Sequence, residues 1–137
     1  MIVGVGNHQI DVRRIERALA RFGDRVIQRV FTGDEQERAP AQANRAAFYA
    51  QRFAAKPACA RALGAGVRDR IRWRDMSVTD LPSGRPAISL SGGAMSRLRD
   101  LLPEGHEARI DLTLTDDFPL AGAIVIISGR PEKGDRR

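Results

Sequence analysis

Four arginines near the N-terminus are spaced so that their side chains could act together on an anionic partner. They follow one another at intervals of three and four residues, as Arg14, Arg17, Arg21 and Arg25. This spacing brings side chains to the same side of a helix, and guanidinium groups bind phosphates and carboxylates in a bidentate manner. The stripe is therefore either a docking surface for an acidic partner or an ordinary solvated helix face.

The whole chain has the same positive bias. Its 137 residues carry a formal net charge of +6, from 23 Lys and Arg against 17 Asp and Glu. Such a balance indicates acidic partners, which could be nucleic acid, a phosphorylated cofactor or an acidic protein. Aromatic residues make up only 5% of the chain, which is too few for the stacking platforms of single-strand binders. Nucleic acid is thus the less favoured partner.

Cysteine content and hydropathy predict the compartment. The single cysteine, Cys59, cannot form an internal disulfide and is interpreted as a small apolar helix residue rather than a reactive thiol. No apolar run approaches the roughly 20 residues that span a bilayer, and residues 1–4 lack the basic start of a secretory signal. We predict a cytoplasmic protein without membrane contact, with one domain over residues 1–128 and a polar, disordered tail over residues 129–137.

The first half of the chain predicts a strand followed by helices. Residues 1–6, MIVGVG, form a short apolar run typical of a buried strand. Apolar residues recur at helical spacing over residues 12–31, with a break at residues 23–24. Thr32 and Glu35 have the side chains of a capping box, which predicts a short helix that ends before residue 40.

The longest predicted helix, residues 43–63, contains an unusual proline. The segment is rich in alanine, the best helix former. Pro57 interrupts it, because proline lacks a backbone N–H and its ring clashes with the carbonyl four residues earlier. The sequence therefore predicts a helix that is broken or bent at this position.

The second half of the chain predicts mostly strands. Residues 71–91 suggest a hairpin, and residues 92–105 a helix of about three turns. Residues 108–116 alternate strictly between apolar and polar, whereas residues 120–128 are continuously apolar and predict a central strand. With helices grouped early and strands late, the fold class is α+β.

Several short motifs resemble one family in order and spacing. They are GVG at 4–6, RIE at 14–16, FTGDE at 31–35, RFAAK at 52–56, RALGAG at 61–66, WRD at 73–75, SGRP at 83–86 and LTLTDD at 112–117. Over about residues 1–128 the chain resembles the holo-acyl-carrier-protein synthases, the small bacterial 4′-phosphopantetheinyl transferases.

The resemblance implies an antiparallel-rich sheet with a long helix, and a homotrimer that binds coenzyme A at its subunit interfaces. It further implies Mg²⁺-dependent transfer of phosphopantetheine onto a serine of an acidic acyl carrier protein, in fatty acid or polyketide biosynthesis. Coenzyme A contacts fall on basic positions, namely Arg45, Arg52, Lys56, Arg61 and Arg85. The first predicted helix would dock the carrier protein through Arg14, Arg21 and Arg25.

Four positions depart from the pattern of that family. His8 stands at the place of its metal-binding aspartate and Pro57 at the place of its second carboxylate, while Asp111 and Asp116 replace two late histidines. Mg²⁺ prefers oxygen ligands, which imidazole and proline do not offer. No metal ligand is assigned, unless Asp11 shifts into the site. We expect docking of an acyl carrier protein, possible coenzyme A binding, and Mg²⁺-dependent transfer that is weakened or lost.

Three alternatives remain open from the sequence, and with them whether the chain is an enzyme at all. The first is an active transferase whose metal site is rebuilt, for instance by Asp111 or Asp116. The second is a repurposed enzyme acting on a carrier-tethered substrate, with His8 and Asp111 or Asp116 as an acid–base pair. The third is a basic nucleic-acid-binding module, which only the net charge supports.

Overall fold

A computed structural model describes residues 1–40, 45–65 and 70–132. Within these residues the chain forms five α-helices, a 3₁₀ turn at Trp73–Asp75 and five strands. The helices are α1 (Val12–Phe22), α2 (Asp24–Val30), α3 (Gly33–Arg38), α4 (Arg45–Ala62) and α5 (Gly92–Leu101). The strands are β1 (Ile2–Asp11), β2 (Met76–Asp80), β3 (Pro86–Leu90), β4 (His106–Asp117) and β5 (Leu120–Pro131). The α+β class expected from the order of elements is confirmed.

The main sheet has three antiparallel strands in the order β1, β5, β4. The continuously apolar strand β5 is central, as predicted, while β2 and β3 pair as a separate hairpin. Alternate residues of β5 are buried, and these are Ala121, Ala123, Val125 and Ile127. The opposite face of the sheet leaves Val5 and Ile124 exposed.

Helix α4 packs closely against β1 on the buried face of the sheet. A Cβ atom on Gly4 would lie 1.7 Å from the carbonyl oxygen of Ala62, and a Cβ atom on Gly6 would lie 1.9 Å from that of Ala58. No side chain fits in either place, so the glycines of the GVG motif allow the backbones of strand and helix to touch. The contact fixes the end of β1, with His8, against the middle of α4.

Several local predictions are confirmed. Gly23 adopts a positive φ of 55° between α1 and α2, where the sequence predicts a break. Thr32 and Glu35 form the predicted capping box: the Glu35 backbone N–H donates to Thr32 Oγ1 over 3.3 Å, and the Thr32 N–H donates to Glu35 Oε1 over 2.9 Å. The hairpin and α5 also form.

Other boundaries differ from the predictions. Strand β1 continues to Asp11 instead of ending at Gly6, because pairing with β5 extends through the polar residues 7–9. Residues 73–75 form a 3₁₀ turn rather than strand. Strand β5 runs to Pro131 in register with β4. Residues 129–131, predicted to begin the polar tail, therefore belong to this strand. Residues 133–137 lie outside the described residues.

Helix α4 is continuous through Pro57. The helix is held on both sides of the proline by buried residues such as Ala54, Ala58 and Cys59, so tertiary packing outweighs the lost hydrogen bond. The predicted start at residue 43 lies outside the described residues. No helix within the described residues is long and apolar enough to cross a membrane.

Candidate functional site

A cleft lies between the C-terminal half of α4 and the 3₁₀ turn. Its volume is about 370 Å³, within the range of small-molecule sites. Two arginines, Arg61 and Arg70, belong to its wall, and the rest is largely apolar. The other lining residues are Pro57, Ala60, Ala65, Ile71, Trp73 and Met76. We call this the α4 cleft.

A second, more polar cleft adjoins the first along β1. Its volume is about 390 Å³, and Arg61 lines it as well. The Arg61 guanidinium crosses to β1 and donates a hydrogen bond to the backbone carbonyl of Asn7. His8 lines the same cleft, and its ring lies edge-on to Phe53 of α4 with 6.5 Å between centroids. We call this the β1 cleft.

The electrostatic environment of His8 is positive. Burial lowers the pKa of its imidazole, and the neighbouring charges of Arg61 and Arg14 lower it further. The ring is therefore neutral at pH 7 and presents one nitrogen lone pair. A neutral imidazole flanked by two arginines is a poor ligand for a hard divalent cation.

The two candidate aspartates on β4 do not meet His8. Pairing through β5 places Asp111 opposite Ile126, on the sheet face away from α4, whereas His8 pairs with Ala123 on the α4 face. Asp116 is on the α4 face but two strands away, which is about 10 Å across the sheet. The predicted pair of His8 with Asp111 is thus not formed. Their partners on β5, Ala123 and Ile126, are an odd number of residues apart, so the two side chains lie on opposite faces of the sheet.

Neither Asp11 nor Asp111 is available to rebuild a metal site. Asp11 caps α1 by accepting from the Arg13 backbone N–H over 2.9 Å, and its carboxylate also pairs with the Arg13 guanidinium at 2.6 Å. These bonds hold the pKa of Asp11 at about 2. Asp111 pairs with Arg109 at 3.2 Å. Among the described residues, no group of three or more His, Cys, Asp or Glu could hold a metal ion.

Lys56 is buried and is hydrogen-bonded within the fold. Its side chain is 0% exposed, and Nζ donates to Glu35 Oε1 over 2.9 Å, to the Trp73 carbonyl over 3.2 Å and to the Met76 carbonyl. All three ammonium protons are used. The coenzyme A contact of Lys56 stays a prediction, and it would require the ammonium group to release one of these buried partners.

The remaining predicted cofactor residues differ in how freely they can move. Arg52 is 13% exposed, with its guanidinium 3.9 Å from the centroid of the Phe48 ring and 4.0 Å from Asp80. Arg45 pairs with Asp24 at 3.7 Å. Arg85 is exposed on the turn between β2 and β3. Of the five predicted residues, only Arg61 lines the α4 cleft.

The arginine stripe is shorter than predicted. Arg14 and Arg21 are exposed on α1, and Arg21 lies over the Phe22 ring at 5.2 Å. Arg25 is exposed on α2, after the positive φ of Gly23. Helical spacing therefore no longer places Arg25 in line with Arg14, Arg17 and Arg21 of α1, and its role in docking stays a prediction.

Comparison with known proteins places this architecture in a family. A sequence model of the 4′-phosphopantetheinyl transferase superfamily, ACPS, matches residues 6–115. The chain belongs to this superfamily. It is 56% identical over 131 residues to a holo-[acyl-carrier-protein] synthase of Mesorhizobium japonicum, with 96% of each chain covered. It is 57% identical over 135 residues to that of Afipia carboxidovorans, covering 96% of this chain and 98% of the relative.

Solved structures of holo-acyl-carrier-protein synthases share the fold. The enzyme from Neisseria meningitidis superposes with a TM-score of 0.80 at 27% identity, covering 93% of this chain and 99% of the other. The enzyme from Bacillus anthracis, solved in complex with CoA (3′,5′-ADP), gives a TM-score of 0.72 at 28% identity, covering 93% and 96%. The resemblance inferred from short motifs is confirmed over nearly the whole chain.

Sequence reasoning missed two residues of the α4 cleft in this superfamily member. Arg70 lines the cleft with a positive φ of 51°, and Trp73 forms a wall of it and packs on Phe53 at 5.4 Å between centroids. The WRD motif identified Trp73 as a residue shared with the family, but it did not predict that Trp73 lines the site. No local pattern pointed to Arg70, because its place in the cleft depends on tertiary packing.

Proposed function

We propose that this chain binds coenzyme A and an acyl carrier protein. We further propose that it takes part in the transfer of the phosphopantetheine arm of coenzyme A to a serine of the carrier protein. The relatives at 56% and 57% identity are named holo-[acyl-carrier-protein] synthase. The observation that carries the proposal is the α4 cleft, where two arginines line a wall that is otherwise apolar. This combination suits a ligand with a phosphorylated end and a less polar arm.

Arg61 is the residue expected to contact the phosphates of coenzyme A. It lines both clefts and is exposed, so a ligand lying along β1 passes its guanidinium. Arg85, on the exposed hairpin turn, is a second candidate for a ligand that extends beyond one subunit. Arg45 and Arg52 are already engaged with Asp24 and Asp80, and would have to exchange these partners for a phosphate.

Carrier-protein docking is assigned to the exposed side of α1. Arg14 and Arg21 offer positive charge there, and Phe22 beside them is 49% exposed. Acidic proteins with an apolar contact residue fit such a surface, since charge steers the encounter and the aromatic ring supplies buried area. Binding should weaken steeply as the salt concentration rises.

Magnesium-dependent transfer should be much slower than in a relative with two carboxylates in the site. In the part of the chain that the structure describes, no Asp or Glu lines the α4 cleft or the β1 cleft. His8 and Pro57 occupy the places that the resemblance matches to metal-binding carboxylates. The donor set therefore does not fit Mg²⁺, and neither Asp11 nor Asp111 replaces it.

Self-association as a homotrimer is also proposed. The sheet face away from α4 exposes Val5 by 57% and Ile124 by 42%, and Ile2, Phe118 and Leu120 are exposed as well. An apolar surface of this kind is uncommon on a monomer. Covering it with further copies of this chain would complete a site that uses residues of two subunits.

Mass spectrometry of an apo carrier protein incubated with coenzyme A tests the proposal. We expect carrier binding at low salt, and with Mg²⁺ a slower gain of the phosphopantetheine mass than the His8→Asp, Pro57→Glu double variant produces. Arg14→Gln with Arg21→Gln should strongly weaken carrier binding, while Arg74→Gln with Arg99→Gln removes the same number of charges outside α1 and serves as the control for net charge. Absence of carrier binding at low salt would contradict the docking role. Transfer as fast as in the double variant would contradict the weakened metal site.

A further inference from the structure

We propose that the α4 cleft binds the diphosphate of its ligand through the guanidinium groups of Arg61 and Arg70, without a divalent cation. The inference rests on the proposed function for the identity of the natural ligand. It goes beyond that function in assigning how the phosphate charge is neutralised. Where the fold family implies a metal ion, this chain supplies fixed cations of its own.

The first observation is the chemistry of the donor set. A metal ion that bridges phosphate oxygens needs carboxylate or other hard oxygen ligands from the protein. Among the described residues, the two clefts offer no Asp or Glu and only the neutral side-chain oxygens of Asn7, Gln9 and Thr115, while the places that the resemblance matches to metal-binding carboxylates hold the imidazole of His8 and the ring of Pro57. Neither ligates Mg²⁺.

The second observation is the sign of the local charge. Arg61 lines both clefts, Arg70 lines the α4 cleft, and Arg14 lines the pocket on the other side of His8. Positive charge from Arg61 and Arg14 thus acts on His8, which stands at the place that the resemblance matches to a metal-binding aspartate. A cation approaching this cleft is repelled, whereas an anion is attracted.

The third observation is the way in which Arg61 is held. One guanidinium nitrogen donates to the Asn7 carbonyl, which fixes the head group over the end of β1. A guanidinium has five N–H donors, so a backbone carbonyl leaves most of them for a ligand. Because the carbonyl bears no net charge, Arg61 keeps its full positive charge for an anion. A planar fork in a fixed position is well suited to bind phosphate oxygens in pairs.

The apolar side of the α4 cleft completes the arrangement. Ile71, Trp73 and Met76 face the same cleft as the two arginines. Arg61 and Arg70 are exposed, so a ligand that covers them against this apolar side would displace water and strengthen the charge-assisted hydrogen bonds to its phosphate. Lys56 holds this wall in place through its bonds to the carbonyls of Trp73 and Met76.

Calorimetric titration with inorganic pyrophosphate tests the inference directly. We expect binding in excess EDTA, and equal or weaker apparent binding when Mg²⁺ is added, since free Mg²⁺ competes for the pyrophosphate. Arg61→Gln should weaken binding about tenfold or more, and the double change with Arg70→Gln should abolish it. Arg99→Gln removes the same charge on α5, outside both clefts, and should change the affinity less than twofold. Circular dichroism confirms that each variant is folded.

Two results would overturn the inference. Pyrophosphate binding that appears only with Mg²⁺ would mean that a metal site exists after all, and equal losses for Arg61→Gln and Arg99→Gln would mean that only net charge matters. Carrier-protein binding is measured on the same preparation. If carrier binding persists while pyrophosphate binding in EDTA fails, only the metal-free site is refuted; if both fail, the proposed function is refuted as well.

Discussion

Replacement of Lys56 by methionine is the sharpest test of the structural role of this residue. Lys56 and Glu35 are both 0% exposed and lie 2.9 Å apart. Methionine has a similar length and fills most of the same volume, so the cavity term is small. The main cost is that Glu35 keeps a buried charge without its cation.

The expected magnitude follows from the contacts that remain. Removing one partner of a buried ion pair costs about 3–5 kcal/mol. Glu35 still accepts from the backbone N–H groups of Thr32 and Val78, each over 2.9 Å, which favours the lower end of this range. At about 3 °C per kcal/mol for a chain of this size, Lys56→Met should lower Tm by about 10 °C.

The assay is urea unfolding followed by circular dichroism, combined with a coenzyme A titration of the folded protein. Adding Glu35→Gln to Lys56→Met should recover part of the lost stability, since no buried charge remains. Arg74 is an exposed residue of the 3₁₀ turn that Lys56 bonds through the Trp73 carbonyl. The free energy of unfolding of Arg74→Met should stay within about 0.5 kcal/mol of that of the parent. The reasoning is refuted if Lys56→Met keeps its stability and loses coenzyme A affinity, which is the result that a direct cofactor contact would produce.

Four further predictions concern single residues. Pro57→Ala restores the missing helix hydrogen bond and should raise the free energy of unfolding by up to about 3 kcal/mol, measured by urea unfolding. A loss of stability would show that the surrounding structure compensates for the hydrogen bond that the proline lacks. Gly6→Ala would place a Cβ atom 1.9 Å from the Ala58 carbonyl oxygen, so we expect little folded protein, and a Tm near that of the parent would exclude the close contact. Burial raises the pKa of the Cys59 thiol to about 12, so a thiol reagent at neutral pH should react with it only after unfolding. Burial lowers the pKa of His8 below its usual 6.5. The unfolded chain therefore protonates His8 more readily than the folded chain does, and the free energy of unfolding falls as the pH drops below 6.5. His8→Gln should lose less stability than the parent between about pH 7 and pH 5, and identical pH profiles would contradict the assignment.

Local signals in the sequence were sufficient for most of the elements. The capping box at Thr32 and Glu35 satisfies backbone groups within four residues, and Gly23 ends α1 because it accepts a positive φ. The strict alternation of residues 108–116 placed their side chains on the two faces of β4 correctly. Each of these features depends on the residues themselves and their neighbours in the chain.

The family, too, was determined by the sequence alone. Motifs such as RFAAK and RALGAG led to the holo-acyl-carrier-protein synthases, and the 56% identity with a relative over 131 residues supports the same conclusion. The basic excess also pointed to acidic partners. These conclusions need the residue types and their order, but no coordinates.

Only the tertiary structure decided what the individual charged residues do. Lys56 and Arg61 are both basic residues of α4, yet Lys56 is buried with Glu35 and Arg61 opens onto two clefts. His8 and Asp111 are separated by the register of three strands, which no local pattern encodes. The physical reason is that burial and strand register depend on contacts between distant parts of the chain, and these contacts decide whether a charge is neutralised within the protein or left for a ligand.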